Sequence, residues 1–422
     1  MRIAVVGGGW AGLAAAVRAV EAGHDVTLLE MAAALGGRAR GVDLDGLALD
    51  NGQHILIGAY VRTLALMRTV GSDADGVLCR LGLELRYPDG RGLAVPPGPA
   101  ALGFARAIAA ARGWTWGDRL RFGAAAAGWA ARGFTCPPHW TVERLCAGLP
   151  QRVRALMIDP LCVAALNTPA RDASAVVLLR VLRDALFGGP GASDLLLPRR
   201  PLSALLPTPA QRWLVDRGAR VVNGRRVERI EPIEGSAGWT VDGDPFDAVV
   251  VAAPAAEASR LVGEANPQWA ATAAALRYEP IVTVYLRARG ARLPAPMTAL
   301  QEGPEQPAQF AFDHGALGGH DGLFAFVVSG AAPWVERGLT ATAQAVLQQA
   351  RPLLAGVEPS LVRALAEKRA TFRCTPALRR PALRIAPGLL AAGDHVDGPY
   401  PATLEGAVRS GEAAAAALSA PA

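Results

Sequence analysis

The stretch that most constrains this chain is residues 3–38. Ile3-Ala4-Val5-Val6 runs directly into Gly7-Gly8-Gly9-Trp10-Ala11-Gly12, an alanine-rich segment follows, and then comes Val26-Thr27-Leu28-Leu29-Glu30. A short apolar run that ends in glycine reads as a buried parallel strand. Gly7, Gly9 and Gly12 stand at Gly-x-Gly-x-x-Gly spacing, with Ala11 among them. In that pattern the first glycine makes the tight turn, the second lets the backbone approach a pyrophosphate, and the third lets helix pack on strand. The helix then offers its free N–H groups and positive dipole end to the phosphates. Leu13, Val17 and Val20 recur at helical spacing, so one helix face can lie on a sheet. Glu30 stands 18 residues past Gly12, close to the separation expected of the acid that holds a ribose hydroxyl. The glycine pattern alone arises by chance in chains rich in alanine and glycine. Strand, turn, helix, strand and acid in this order select dinucleotide binding.

Nicotinamide and flavin dinucleotides share those features. What separates them here is Leu35-Gly36-Gly37-Arg38, where backbone amides at Gly37 and the Arg38 guanidinium can reach a pyrophosphate from the other side. A second motif closes the chain: Gly388-Leu389-Leu390-Ala391-Ala392-Gly393-Asp394, then Tyr400-Pro401-Ala402-Thr403-Leu404-Glu405-Gly406. An apolar strand that ends in Gly393-Asp394 places a carboxylate for ribityl hydroxyls. A helix that begins near Thr403 and Leu404 points its amides at a flavin edge. These motifs together resemble the flavin-containing amine oxidase and carotenoid desaturase superfamily. Between them, Asp50-Asn51-Gly52-Gln53-His54-Ile55-Leu56-Ile57-Gly58-Ala59-Tyr60 resembles the Gly-x-His-x-x-x-Gly-x-Tyr run that plant-type desaturases place beside the flavin ring. The full order of that run is most similar to the squalene-associated FAD-dependent oxidoreductases of that superfamily, the hydroxysqualene dehydroxylases of bacterial hopanoid biosynthesis.

The resemblance implies an α/β fold: a Rossmann-like FAD-binding domain with an inserted mixed α+β substrate domain. Residues 1–80, 209–270 and 375–422 would form the FAD-binding domain. Residues 81–208 would form a helical, membrane-facing part of the substrate domain, and residues 271–374 its sheet. A hairpin is expected around Asp45-Gly46, a strand from Val227 to Ile230, and a loop from Ser193 to Pro201. Gly52 would lie at the flavin, and Val227 would offer its backbone to the adenine.

Composition sets the outer bounds. The chain has 422 residues, of which 51% are hydrophobic, enough for two cores. Its mean hydropathy is +0.22, yet no run is long enough to span a bilayer. The apolar stretch after Arg2 reads as the first strand and not as a targeting leader. Five scattered cysteines without a C-x-x-C pair, and dispersed histidines, argue against a metal site or a disulfide framework and suit a reducing cytoplasm. The net charge of +6 comes almost wholly from arginine, Lys368 being the one lysine. A G- and C-rich genome accounts for that bias, and with no nucleic-acid-binding motif present, nucleic acid is not an expected partner.

Residues 87–201 differ from the rest. Prolines cluster at 96–99 and 137–138 around helical stretches that carry Trp114, Trp116, Phe122, Trp129 and Phe134, with arginine far outnumbering acid. Tryptophan and arginine on amphipathic helices suit the headgroup level of a membrane, or else helices packed together with a solvated arginine face. The expected location is the cytoplasm, peripherally on the inner face of the cell membrane. The expected partners are a hydrophobic isoprenoid and neighbouring squalene and hopanoid pathway enzymes.

The resemblance implies reductive dehydroxylation of hydroxysqualene to squalene, in which reduced FAD, held non-covalently, delivers hydride to an allylic carbon as hydroxide leaves. Expelling hydroxide calls for a proton donor or electrostatic partner. His54 ranks first for that role, because an imidazole can be protonated near neutral pH. Tyr400 ranks second, and Asp397, in the same loop, third. A carotenoid or phytoene desaturase is the rival within the class. A flavin- and terpenoid-binding membrane-surface protein without catalysis is the reading from another class. An amine oxidase fits less well, because no cysteine lies near Asp394 and no lysine matches the one that amine oxidases hold near the flavin.

Overall fold

The computed structural model describes residues 1–418 except 45, 97 and 355. Asp45 of the expected hairpin turn and Pro97 of the first proline cluster therefore lie outside the described residues. The first strand, Arg2–Val6, is flanked in parallel by Asp25–Glu30 on one side and Ala248–Val251 on the other. Arg220–Asn223 pairs outside Asp25–Glu30, Leu389–Ala391 outside Ala248–Val251, and Arg384–Ala386 closes that edge antiparallel. Three stretches far apart in sequence thus supply one six-stranded sheet. Ile3, Val5, Leu28 and Val250 are buried on its faces, as befits central strands covered on both sides. This is the expected α/β arrangement with a parallel sheet.

Helix Trp10–Glu21 covers the sheet and packs on the last helix, Leu404–Leu418. Glycine makes that crossing close: a Cβ on Gly411 would sit 2.1 Å from the Ala11 carbonyl oxygen. Charge then fastens the last helix. Glu405, with no exposure, accepts from the Thr63 N–H and hydroxyl at 2.9 and 2.8 Å, from the Arg62 N–H at 3.1 Å and from Arg409 at 2.7 Å. Four donors on one buried carboxylate satisfy it in place of water.

A second sheet is antiparallel throughout, in the order Met297–Ala299, Phe310–Asp313, Leu323–Val328, Tyr278–Arg287, Ser360–Phe372. Period-two alternation gives it two faces. Val282, Val284, Leu286, Phe324 and Phe326 pack with the helices Ala332–Arg337 and Leu339–Ala350. Ile281, Thr283, Phe310, Phe312 and Val327 face the other way, into a cavity shared with the first sheet.

Three expectations change. Leu195–Pro198 is not a loop but a fully buried strand, antiparallel to Leu56–Ile57 and to Leu78–Leu81. Its flanking prolines and loop residues masked a four-residue run that the core completes. Val227 lies in a loop, and the strand there is Ile230–Pro232. Trp114 and Trp129 are not headgroup-facing but 5% and 4% exposed. Both meet Phe122 edge-on, with centroids 5.5 and 6.3 Å away. Phe122 lies on helix Trp116–Ala131, which opens with a Thr115–Asp118 capping box. Of these three tryptophans only Trp116 is open to solvent, at 71% exposure.

Asp50, at the end of strand Leu47–Asp50, ties that strand to helix Leu202–Leu205 and to the second sheet. Its carboxylate accepts the Leu202 N–H at 2.8 Å and its carbonyl accepts the Tyr285 hydroxyl at 3.0 Å. Burial pushes its carboxyl up to about 7, against the lowering effect of the Leu202 bond. The folded chain therefore holds this proton more tightly than the unfolded chain, so this group's contribution to stability falls as pH rises from about 4 to about 7. Asp50→Asn should flatten that loss, which chemical denaturation at about pH 5 and about pH 7.5 would read as a smaller difference than in the unaltered chain. Equal pH dependence in the two proteins would contradict it.

Candidate functional site

Where the two sheets meet lies a cavity of about 550 Å³. One end is built by the glycine turn. Gly7 adopts φ +111°, and a Cβ there would meet the Ala252 carbonyl oxygen at 2.6 Å. Gly12 lies under the turn, where a Cβ would fall 1.8 Å from the Gly7 oxygen. Gly9 is different: a Cβ would find only the Gly37 Cα, at 3.9 Å, so its surface is open. Gly9 also caps helix Trp10–Glu21 without any side-chain bond to the helix N–H groups, which leaves first-turn donors for an anion in the cavity. Glu30 is held from both sides: Gly8 N–H donates to one oxygen and Ala32 N–H to the other, each at 2.7 Å. Each oxygen keeps acceptor capacity for a hydroxyl. The Val227 carbonyl accepts from Arg260 at 2.9 Å. Arg225 and Arg226 line this end as well.

The two chain ends meet in the middle. Arg38 donates to Asp394 at 2.5 Å and to the Ala370 carbonyl at 3.0 Å. Burial alone would push the Asp394 carboxyl up. The Arg38 charge and the neighbouring His395 ring outweigh it and hold the carboxylate well below its ordinary range. His395 is 1% exposed, lines the cavity, and its Nε2 has no hydrogen-bond partner. The last helix opens at the same place. Thr403 accepts the Gly406 N–H at 2.9 Å, and Ala402 just before it takes a left-handed backbone, φ +56°. For alanine that conformation is strained; it turns the chain so that Thr403 and Leu404, at the start of the helix, reach the cavity.

Residues 51–54 form the floor between these groups and the second sheet. His54 Nδ1 lies 2.8 Å from the Gly52 carbonyl. A carbonyl only accepts, so Nδ1 is assigned the proton, which in the neutral ring leaves the lone pair on Nε2. Burial lowers the His54 pKa, and the Arg38 charge adds to that; the Gly52 bond and Glu367 act against them without reversing the direction. Tyr60, also lining the cavity, has its hydroxyl pKa raised by burial first and by Glu405 second. Beyond His54 the wall turns apolar, with Val163, Ile281, Phe310, Phe312 and Val327.

Most of the residues singled out from the sequence come together here. Gly7, Gly9, Ala11, Glu30, Gly37, Arg38, Gly52, His54, Val227, Gly393, Asp394, Thr403 and Leu404 all line the cavity. Tyr400 and Asp397 do not. The Tyr400 ring sits under the Arg180 and Arg409 guanidiniums, 5.3 and 4.7 Å from its centroid, and its hydroxyl bonds Asp184. Asp397 is exposed and paired with Arg380 at 3.1 Å. The loop that carries them is held by these arginines, away from the cavity lining. For His54 as a cationic acid, burial works the other way and favours the neutral ring, in which the nitrogen not bonded to Gly52 is an acceptor. Among the lining residues not singled out from the sequence are His395 and Thr283. His395 directly follows the Gly393-Asp394 motif, a usable signal. Thr283 becomes visible only once strand alternation is set against the cavity.

The open glycine surface, the unspent helix donors, the held carboxylate of Glu30 and the unpartnered His395 nitrogen fit a dinucleotide. The comparisons agree. The family model described as flavin containing amine oxidoreductase matches residues 10–419. A hydroxysqualene dehydroxylase of Rhodopseudomonas palustris is 30% identical over 97% of this chain and 96% of its own length. A zeta-carotene desaturase of Synechocystis is 44% identical, but over only 17% of this chain and 15% of its own. Among solved structures, an oxidoreductase from Methanosarcina mazei superposes with TM-score 0.75 at 16% identity, covering 98% of this chain and 99% of that one. Cyclohexylamine oxidase from Brevibacterium oxydans reaches 0.67 at 16% identity, covering 99% and 98%. The chain belongs to the flavin containing amine oxidoreductase family and is a flavin-dependent oxidoreductase, related along its whole length to hydroxysqualene dehydroxylases.

Proposed function

We propose that the chain holds FAD non-covalently and reduces hydroxysqualene to squalene, a step toward hopanoids. The observation that carries this reading is the cavity itself: a dinucleotide cradle that continues into a wall of Val163, Ile281, Phe310, Phe312 and Val327. Such a wall buries hydrocarbon and excludes water. The whole-length relationship to hydroxysqualene dehydroxylases supports the substrate class. The desaturase match is short, so it speaks for a shared local motif more than for a shared substrate. An amine substrate is disfavoured by Lys368, which is exposed and outside the cavity.

Bound and reduced, FAD would supply the hydride. The chain's own residues supply the setting. Arg38 and the N–H groups at Gly9 and Gly37 would hold the pyrophosphate, and the Glu30 and Asp394 carboxylates would hold sugar and ribityl hydroxyls. The start of helix Leu404–Leu418 presents positive potential to the ring edge. Cys374 is buried, its thiol pushed up to about 12 by burial, and is not among the cavity-lining residues, in keeping with a cofactor free of a thioether link. Anaerobic incubation of the dithionite-reduced protein with hydroxysqualene should yield squalene by mass spectrometry. Desaturation of phytoene by the oxidised protein would favour the desaturase reading instead. Flavin that is neither reoxidised by hydroxysqualene nor reduced by phytoene would favour a non-catalytic terpenoid carrier.

Flavin should be released intact by acid or heat. Arg38→Ala removes a charge-assisted contact and leaves Asp394 unpaired, so flavin occupancy, read from absorbance of the purified protein, should fall at least about tenfold. Unchanged occupancy in a folded variant would remove Arg38 from the cofactor site.

An insoluble substrate calls for a membrane-facing entry, and peripheral association with the cytoplasmic leaflet is part of this reading, beside neighbouring enzymes of the same pathway. No helix among the described residues is long and apolar enough to cross a membrane. The adjacent helices Ala100–Ala110 and Trp116–Ala131 expose Leu102 at 48% and Trp116 and Leu120 at 71% each, with Arg106 and Arg121 exposed beside them. Apolar side chains ringed by arginine match an anionic headgroup layer. Trp116→Ser with Leu120→Ser should weaken flotation with anionic liposomes at least about tenfold. Flotation equal to that of the unaltered chain would exclude this face.

A further inference from the structure

Thr283 is the exception in the cavity wall. Strand Tyr278–Arg287 points Ile281 and Thr283 into the cavity, between a floor of residues 51–54 and the neighbouring Val327. Thr283 is 1% exposed, and its hydroxyl has no hydrogen-bond partner. A buried hydroxyl without a partner is destabilising, so a chain that folds with one offers a site that a ligand atom can satisfy. The surroundings define that atom. Gly52 leaves a notch: a Cβ there would lie 3.7 Å from Thr283 Oγ1 and 3.8 Å from His54 Cε1. An atom seated in this notch would thus meet a free hydroxyl on one side and the Cε1 edge of the His54 ring, which lies between its two nitrogens, on the other.

The two flanking groups are complementary to a single oxygen. Thr283 can donate its hydroxyl hydrogen, and His54, with its proton committed to the Gly52 carbonyl, can accept at Nε2. A neutral alcohol does both at once, donating to His54 and accepting from Thr283. A carboxylate or phosphate would face the His54 lone pair, and a hydrocarbon would leave both groups unmet. Gly52 supplies the room by lacking a side chain.

We propose that Thr283 and His54, across the notch at Gly52, bind the hydroxyl group of an isoprenoid alcohol, and that Thr283 is what distinguishes alcohol from alkene. This rests on the reading of the cavity as an isoprenoid site and extends it to a named polar anchor. The same hydrogen bond from Thr283 would lie on the oxygen as its bond to carbon breaks, the moment when a donor there stabilises most. It also gives a direction to release: squalene has no group to satisfy either partner, so the product binds less well than the substrate.

The test uses the flavin-loaded full chain with Thr283→Val and Thr283→Ser, titrated with hydroxysqualene and with squalene while flavin absorbance is followed. The unaltered chain should bind the alcohol about tenfold more tightly than the alkene, Thr283→Val should abolish that difference by weakening the alcohol alone, and Thr283→Ser should restore it. Without ligand, Thr283→Val should keep its flavin spectrum and be no less stable to heat. Discrimination that survives in Thr283→Val would overturn the proposal, as would a changed flavin spectrum or flavin loss in the ligand-free variant, which would assign the hydroxyl to the cofactor. The two readings separate cleanly. Discrimination that depends on Thr283 without squalene formation would sink the proposed reaction and keep the anchor. Squalene formation with discrimination independent of Thr283 would do the reverse.

Discussion

The bond between Arg38 and Asp394 is the constraint on which the site depends. The two residues stand 356 positions apart, one after the first βαβ unit and the other before the last helix. Side-chain exposures of 28% and 9% mean that neither charge can rely on bulk water. Together they are tolerable; removing one partner strands the other, at a typical cost of 3–5 kcal/mol for a buried pair. The ion pair therefore does two things at once. It closes the chain's ends around the cavity, and it keeps a carboxylate ionised where hydroxyls need an acceptor. Arg38 also bonds the carbonyl of Ala370, at the end of the long strand Ser360–Phe372. Both sheets are thereby referenced to one guanidinium, whose planar fork suits it to several partners in fixed directions.

What could be read from the sequence follows from how local each requirement is. Gly7, Gly9 and Gly12 answer to contacts within one turn and its helix, and Gly393-Asp394 to a strand end, so their residue types carry the information. The alternation that makes Tyr278–Arg287 a strand is likewise local. The side toward which Thr283 points is not, because it depends on residues 51–54, more than two hundred positions earlier. Tyr400 was misjudged for the same reason: nothing in its neighbourhood announces that Arg180, from a distant helix, and Arg409 will bracket its ring. Trp114 and Trp129 carry the composition of a membrane face, but spacing cannot say whether an aromatic stripe meets lipid or another helix. Phe122 and Phe104 supply that answer only in three dimensions. Leu195–Pro198 was hidden by its brevity.

The same division explains how the chain can match a zeta-carotene desaturase so well over 73 residues and hydroxysqualene dehydroxylases only moderately over its whole length. A dinucleotide demands one geometry of every chain that binds it: backbone N–H groups at fixed places, glycine where a Cβ would collide, one acid at a strand end. Those positions tolerate little drift. An apolar wall demands only volume and shape, and hydrophobic residues of similar size substitute for one another at modest cost.

The polar residues within that wall are then the ones that carry chemical meaning. Hydrophobic positions such as Ile281, Phe312 and Val327 accept any hydrocarbon that fits, because burial rewards area without direction. A hydrogen-bonding position is different, since a site with an unmet donor rejects a ligand that cannot meet it. Most polar side chains near the wall are already occupied. Asn167 donates to the Glu279 carbonyl and the Thr371 hydroxyl and accepts the Gly330 N–H, which leaves it little to offer. The Asp50 carboxylate and carbonyl are both engaged, by Leu202 and Tyr285. His54 has committed one nitrogen to Gly52. Directional capacity that remains in the cavity includes His54 Nε2 and the Thr283 hydroxyl, whose ring and hydroxyl flank a residue with no side chain. One acceptor and one donor around a space that a small atom can occupy is the complement of an alcohol. On the proposal made above, the wall's selectivity for a functional group would rest on that pair, and its selectivity for chain length on the apolar residues around it.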